Sequence, residues 1–271
     1  LREETAAHRR YLHEHAEAGL HLKKTFAYIR DVLEKDKIAV SPCGEGLVAE
    51  IGKGERVILL RADADALPMR EESGEAFASQ GEAAHTCGHD LHAAMLLSAA
   101  KLLKRNENRL TSRVKFMFQP AEEIFEGAYD MIQNGVLENP KVDIGLALHM
   151  DEAYPVGQFT FRYGPMYAST TEFKIHVKGT SCHGAHPDMG ADAIIMAGNL
   201  VSAFQTIISR NMDPTDPLVI TIGTIHGGTT ENIVTGEVTM TGTIRMAQIK
   251  KCEVNIVLPQ IFDGCIRQIL I

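Results

Sequence analysis

The sequence has no run of 18 apolar residues and no cluster of basic side chains. The first absence leaves no candidate membrane span, because a helix needs about 20 apolar residues to cross a bilayer. The second comes with a formal net charge of −8, from 27 basic and 35 acidic residues. Nucleic acid and membranes are therefore poor partners for this chain, and we expect neither.

Cysteine is also scarce. The five cysteines are scattered and odd in number, which argues against a disulfide framework and favours a reducing, cytoplasmic location. The N-terminal stretch LREETAAHRRYLHEH is polar and lacks the apolar centre of a signal peptide. Because the sequence begins at Leu1 rather than at Met, we expect the true start to lie upstream.

Histidine, by contrast, is plentiful. The chain has 12 histidines, more than a core normally needs, and several stand beside Cys, Asp or Glu. The composition is otherwise that of a globular protein, with 45% hydrophobic and 23% charged residues, and its length suits one or two domains. A bound metal is therefore the first function to look for.

The N-terminal part alternates helices and strands, which predicts an α/β layered domain. Residues 1–35 have the periodicity of two helices, and GLVAEI and RVILLRAD predict two strands joined in a hairpin at Gly52-Lys53-Gly54. The further predicted elements are the helix HDLHAAMLLSAAKLLKR, the strand RVKFMFQP, the helix EGAYDMIQNG and the buried strand VDIGLALHM.

The pattern changes after about residue 165. TEFKIHV, PLVITIGTI and EVTMTGTIRM alternate like half-exposed strands, and ADAIIMAGNLVSAFQTIISR predicts a long helix. We therefore divide the chain into a domain at 1–165 and a small α+β domain at 166–271, with one open sheet face. The last residues give no clear pattern, since Pro259 interrupts a helical one.

The segment HTCGHD (residues 85–90) is the first candidate site. Cys87 and His89 flank Gly88, and a glycine lets the backbone turn so that both side chains face one point. A thiolate and an imidazole suit zinc or a similar ion. The spacing agrees equally well with a helix start that Asp90 caps and whose histidines face water.

Glu122 and Glu123 follow a strand, and two such carboxylates can split the roles of metal ligand and proton acceptor. Taken alone, they are better interpreted as solvated acids in a first helical turn. His149 closes an apolar strand and could be a core residue. Asp63 and Asp65 could bind metal or orient a ligand. One two-metal site at the carboxyl ends of the strands would explain all four segments.

LRADADALPMRE, AAHTCGHDLHAAM, FMFQPAEE and LALHM, in this order, resemble the M20 metallopeptidase family. More narrowly, they resemble its amidohydrolase branch of aminoacylases, hippurate hydrolases and auxin-conjugate hydrolases. KGTSCHGAHP, TIGTIHGGTTENIV and GTIRM resemble the same family's inserted domain. The resemblance implies a zinc-exopeptidase-like helix/sheet/helix catalytic domain and an inserted, ferredoxin-like α+β domain that serves as lid and dimerisation domain.

The resemblance also implies roles for single residues. The implied metal ligands are Cys87, His89, Glu123 and His149. Glu122 would be the general base, and Asp65 would support the ligands. In the lid, His183 would stabilise the oxyanion, usually across a dimer, and Asn232 and Arg245 would lie near the substrate.

The implied reaction is hydrolysis of the amide bond of an N-acyl amino acid, with an acetyl, benzoyl or aryl-acyl group. The implied cofactors are two divalent ions, manganese or zinc first, with cobalt or nickel open. A homodimer through the lid is implied too. The family chain continues into a second catalytic half with one more histidine ligand, which residues 247–271 do not match, and Ala16 stands where the family has proline.

Three alternatives stay open at this point. A Cys87–His89 nucleophile pair would make a cysteine hydrolase, but it leaves Glu122, Glu123 and His149 without a role. A metallo-dipeptidase or carboxypeptidase is nearer, and the CGHD motif favours the amidohydrolase branch over it. The third alternative is a non-catalytic metal-binding or dimerisation fragment.

Overall fold

A computed structural model of the chain describes residues 1–246. The chain divides into two compact units, an N-terminal unit of Leu1–Val156 and a C-terminal unit of Gly157–Ile271. This division falls near the boundary at residue 165 that the sequence pattern predicts. The assignment of catalytic and lid roles to 1–165 and 166–271 stays a prediction, and residues 247–271 lie outside the described part.

The N-terminal unit is a five-stranded sheet with helices on both faces. Its strand order is β1-β2-β4-β3-β5; β3, β4 and β5 run parallel, whereas β1 and β2 are antiparallel to their neighbours. The elements are α1 (Arg2–Glu14), α2 (Lys23–Lys35), β1 (Val40–Cys43), β2 (Gly46–Ile51), β3 (Val57–Asp63), α3 (His89–Arg105), β4 (Arg113–Gln119), α4 (Gly127–Gln133) and β5 (Ile144–Ala147).

The alternation of side chains along β4 explains the layers. Phe116 and Phe118 are fully buried in a cluster with residues of α2 and α3, while Met117 points to the opposite face and packs against Met131 of α4. Apolar residues on both faces require a cover on both faces. The helix/sheet/helix arrangement follows from this pattern.

Two details of the predicted sheet are wrong. Strands β2 and β3 form no hairpin at residues 52–54, because β4 lies between them. Strand β4 is buried along almost its whole length, so it takes the centre of the sheet. The strand VDIGLALHM is not buried: β5 pairs with β3 alone, at the sheet edge, and Leu146 is 57% exposed.

Up to residue 246, the C-terminal unit is a three-stranded antiparallel sheet in the order β6-β10-β8, with a helix on it and a separate two-stranded ribbon of β7 and β9. Its elements are β6 (Ser169–Lys178), β7 (Cys182–His183), α5 (Ala193–Thr206), β8 (Leu218–Gly227), β9 (Ile233–Val234) and β10 (Glu237–Met246). Phe204 on α5 packs with Ile175 and Met240 of the sheet. Helix α5 lies on one face of this sheet, which agrees with the predicted α+β arrangement.

Helix α5 and its π-helical continuation to Asn211 are long and apolar enough to cross a membrane, by length and composition alone. The core of the unit accounts for part of this apolar character, because Met196, Leu200 and Phe204 are buried in it, whereas Ile194 and Ile195 are exposed. The expected absence of a membrane partner stays a prediction.

Candidate metal centre

The four predicted segments meet at one edge of the N-terminal sheet. Asp63 ends β3, Glu122 and Glu123 follow β4, and His149 follows β5. Since β3, β4 and β5 are parallel, their carboxyl ends share this edge. His89 is the first residue of α3, and its ring lies within 4 Å of the carboxylates of Asp63, Glu122 and Glu123.

Gly88 makes the local turn. It is the N-cap of α3 in the left-handed conformation, with φ +88°, which glycine adopts without strain. The turn places Cys87 and His89 on one side, so that Cys87 Sγ lies 3.5 Å from His149 Nε2. The predicted role of Gly88 in bringing the two ligands together agrees with this geometry.

His89 is the hub of the cluster. Cys87, His89 and His149 offer ligand atoms that all lie within 4.8 Å of one another, and so do His89, Glu122 and Glu123. His89 is fully buried, and its Nε2 lies 3.7 Å from Glu123 Oε1 and 3.9 Å from Glu122 Oε2. The donors are therefore a thiol, two imidazoles and two carboxylates, a set that suits a divalent transition metal.

Unsatisfied polar atoms test whether a cation fits. Both ring nitrogens of His89, Asp65 Oδ1 and Glu123 Oε1 are buried and have no hydrogen-bond partner, a costly arrangement for polar groups. His89 Nδ1 lies 3.5 Å from Asp65 Oδ1. A proton on Nδ1 facing Asp65 leaves Nε2 for a cation, the usual support of a metal-bound histidine. The residues fit the implied metal.

The imidazole ring of His149 is held in one tautomer. Its Nδ1 lies 2.6 Å from the carbonyl oxygen of Met150, and a carbonyl only accepts, so Nδ1 carries the proton. The lone pair of Nε2 then faces Cys87. This tautomer is the one that a metal ligand at Nε2 requires.

Asp63 belongs to a further group of candidate ligands, with His89 and His92, but both of its oxygens are already bound by the protein. One carboxylate oxygen accepts from His92 Nδ1 at 2.5 Å and the other from Arg61 Nη1 at 2.7 Å. Burial raises its pKa, but the His92 hydrogen bond and the Arg61 charge outweigh burial and lower the pKa to about 2. Of the two roles that the sequence leaves open for Asp63, the structure therefore favours orientation over metal binding.

The surrounding acids set the protonation of the other groups. Burial works against a charge on His89, but Asp65, whose Oδ1 lies 3.5 Å from His89 Nδ1, and the other nearby carboxylates outweigh it and raise the pKa of His89. Burial, the adjacent Glu123 and the other neighbouring carboxylates raise the pKa of the Cys87 thiol to about 12. Burial and the charge of Asp63 raise the pKa of Glu122. A bound cation would favour the charged forms of the acidic groups.

The predicted lid residues lie in the C-terminal unit and are all exposed. Ribbon β7–β9 pairs His183 with Ile233, and the Gly184 N–H donates to the carbonyl oxygen of Asn232 at 2.7 Å. The two motifs that carry His183 and Asn232 are therefore neighbours. Arg245 lies on β10, opposite Thr170 and Val219. The roles of these three residues stay predictions.

Sequence reasoning missed a buried ionic network beside the site. Asp90 is no helix cap; it accepts from Arg9 Nε at 2.7 Å and lies 2.8 Å from His13 Nδ1. The other nitrogen of His13 lies 2.9 Å from Glu71. His85 is buried among these groups, with both nitrogens unpartnered. The only sequence signal for this network is that LHEH places His13 on an otherwise amphipathic helix.

The chain is similar to one peptidase family and to two deacetylases. The model of peptidase family M20/M25/M40 matches residues 59–255. N-acetyl-L-cysteine deacetylase of Bacillus subtilis (strain 168) is 39% identical over 242 residues, which are 88% of this chain and 58% of that protein. N-acetyldiaminopimelate deacetylase of Halalkalibacterium halodurans is 38% identical over 248 residues, 89% of this chain and 66% of that protein.

The solved structure of the Bacillus subtilis YXEP protein, a dinuclear metal binding peptidase from the M20 family, superposes with a TM-score of 0.77. Its sequence is 33% identical, and the match covers 91% of this chain and 65% of that one. The chain thus spans about two thirds or less of the length of these relatives. It has the mixed α/β fold of those structures, and it belongs to peptidase family M20/M25/M40.

Proposed function

We propose that this chain is the metal-binding part of a hydrolase that cleaves the amide bond of N-acylated amino acids. One observation carries the proposal: buried His89, with no hydrogen-bond partner, faces Glu122 and Glu123 beside Cys87 and His149. The names of the relatives support an N-acetyl amino acid as substrate. The proposal covers acetyl, benzoyl and aryl-acyl groups.

Divalent cations held by Cys87, His89, Glu123 and His149 would supply an activated water at neutral pH and polarise the acyl carbonyl. We assign two ions to the site, as in the YXEP protein, with manganese and zinc ahead of cobalt and nickel. Asp65 would support the ligands: Oδ1 faces His89 Nδ1, and Oδ2 accepts from the backbone N–H of Glu123 at 3.1 Å.

Glu122 is the proton carrier in this proposal. Glu123 is held through its backbone by Asp65, whereas the Glu122 side chain is 36% exposed and can face a substrate. Its raised pKa makes the carboxylate a better proton acceptor. Glu122 would take a proton from the attacking water and return it to the leaving nitrogen.

The C-terminal unit would complete the site in the whole protein. We assign oxyanion stabilisation to His183 and substrate contacts to Asn232 and Arg245. Each of these side chains is exposed and polar or charged, as a substrate contact requires. Assembly as a homodimer through this unit and a cytoplasmic location belong to the same proposal.

The pKa of Cys87 argues against a cysteine hydrolase. A nucleophilic cysteine needs a lowered pKa, whereas burial and the surrounding carboxylates raise that of Cys87 to about 12. A cation would make the thiolate a ligand instead. The acids that hinder a free nucleophile are therefore the groups that help to hold a metal.

The test is hydrolysis of a panel of N-acetyl and N-benzoyl amino acids with added manganese or zinc, and again with a chelator. Glu122→Gln should lower kcat by about 10²–10⁴-fold and leave the metal content unchanged. Glu126→Gln is the matched control, because Glu126 is an exposed glutamate on the same segment. Full turnover by Glu122→Gln would contradict the assignment.

A further inference from the structure

The backbone that carries His149 has few attachments of its own. The pairing of β5 with β3 ends at Ala147, and the next backbone hydrogen bond in the described chain is a long one, from Tyr154 to Asp151. His149 itself is exposed. A metal ligand on such a segment needs support from elsewhere, because ligands must be held close to their productive geometry.

His92 supplies that support. It lies on α3, one turn beyond His89, and is 3% exposed. The backbone N–H of Met150 donates to His92 Nε2 at 2.9 Å. An N–H only donates, so Nε2 holds a lone pair and the proton of the ring is on Nδ1. That proton faces Asp63 Oδ1 at 2.5 Å.

Both nitrogens of His92 are therefore used by the protein, which leaves none for a cation. Asp63, Arg61 and His92 form a chain of hydrogen bonds that ends at the backbone of Met150. The carbonyl of the same Met150 accepts from His149 Nδ1. The hydrogen bond from Met150 to His92 therefore fixes the position of His149. It also fixes the His149 tautomer in which Nε2, facing Cys87, carries the lone pair.

We propose that His92 is a positioning residue that holds His149 as a metal ligand through the backbone of Met150. The inference rests on the proposed function, in that it takes His149 to bind metal. It assigns to the second histidine of HDLH a task distinct from that of the first. His89 offers a nitrogen to the cation, and His92 arranges the partner ligand.

Two substitutions separate the two bonds of His92. In His92→Gln, the side-chain amide oxygen can accept from the Met150 N–H at the place of Nε2. In His92→Asn, the amide nitrogen can donate to Asp63 at the place of Nδ1, but the bond to Met150 is lost. His8→Asn is the control, since His8 is a buried histidine of the same unit that contacts Tyr28.

The measurement is zinc affinity of the full chain, by competition with a chromophoric chelator, with circular dichroism to verify folding. His92→Asn should weaken zinc binding by about 10–100-fold, the usual effect of losing a residue that supports a ligand. His92→Gln should weaken it less, and His8→Asn should leave it unchanged. Equal losses in all three variants, or full affinity in His92→Asn, would overturn the proposal.

A double substitution tests the route through His149. If His92 acts through His149, then His92→Asn adds no further loss of zinc affinity to His149→Ala. Additive losses would overturn the proposal. Zinc affinity is measured without substrate turnover, so the proposed role of His92 and the proposed hydrolase function can fail separately. Coupled losses in a chain that hydrolyses no acyl amino acid would support the role of His92 and contradict the proposed function.

Discussion

The two units bury different kinds of side chain. Within residues 1–246, every buried polar or charged side chain lies between His8 and Gln119, in the N-terminal unit. The buried side chains of the C-terminal unit are apolar, with Met240 at its centre. None of its polar residues up to residue 246 is fully buried, and His183 and Arg245 are exposed.

This difference separates what folding needs from what chemistry needs. Removing a charge from water costs several kcal/mol unless partners compensate it, and the C-terminal unit shows that a compact sheet and helix can be built without that cost. The N-terminal unit, by contrast, buries the charged groups of Asp63 and Asp90. The partners that compensate this cost are His92 and Arg61 for Asp63, and Arg9 and His13 for Asp90. Asp90 follows His89 directly in the chain, and Asp63 Oδ2 lies 3.8 Å from His89 Nε2. Both buried acids therefore lie beside the candidate metal centre.

The largest expected effect concerns the apolar core. Met240 is fully buried in the C-terminal unit, and Met240→Ala should lower the free energy of unfolding by about 2–5 kcal/mol. Zinc affinity should not change, since every proposed ligand lies in the N-terminal unit. Urea unfolding and chelator competition measure the two quantities. A parallel loss of zinc affinity would break the distinction between the units.

A somewhat smaller effect concerns pH. Burial lowers the pKa of His85 from 6.5 to about 4, so between these values the unfolded chain binds a proton that the folded chain excludes. Stability from this group is complete above pH 6.5 and is lost as the pH falls towards 4, by up to about 3 kcal/mol. His85→Gln should flatten this part of the stability profile of the metal-free chain. His226→Gln, at an exposed histidine of the C-terminal unit, should not, and equal profiles for all three proteins would contradict this account.

Much of the fold follows from local patterns. The spacing of Ile29 and Leu33 predicts α2, and the run that begins at His89 predicts α3. The convergence of Asp63, Glu122 and His149 is predictable because parallel strands end at one edge. The order of the strands is not predictable from such patterns. Two apolar runs separated by glycines predict a hairpin of β2 and β3, whereas in the structure the more buried β4 lies between these two strands.

The network behind the site could not be predicted. His13 contacts Glu71 and Asp90 across 58 and 77 residues of sequence, and no local pattern reports such a contact. The hydrogen bond between His92 and the Met150 backbone depends on a loop conformation after β5 that periodicity does not encode. The ligand set itself follows only from the resemblance, because each short motif alone is compatible with an ordinary helix start or strand end.

The most direct test of the central claim is titration of the metal-free full chain with cobalt(II), observed by absorption spectroscopy. We predict a thiolate-to-cobalt charge-transfer band, because Cys87 would become a ligand. The band should vanish in Cys87→Ser and persist in Cys182→Ser, the matched change at a partly exposed cysteine of the C-terminal unit. A band that depends on Cys182, or no band at all, would contradict a metal centre built around Cys87 and His89.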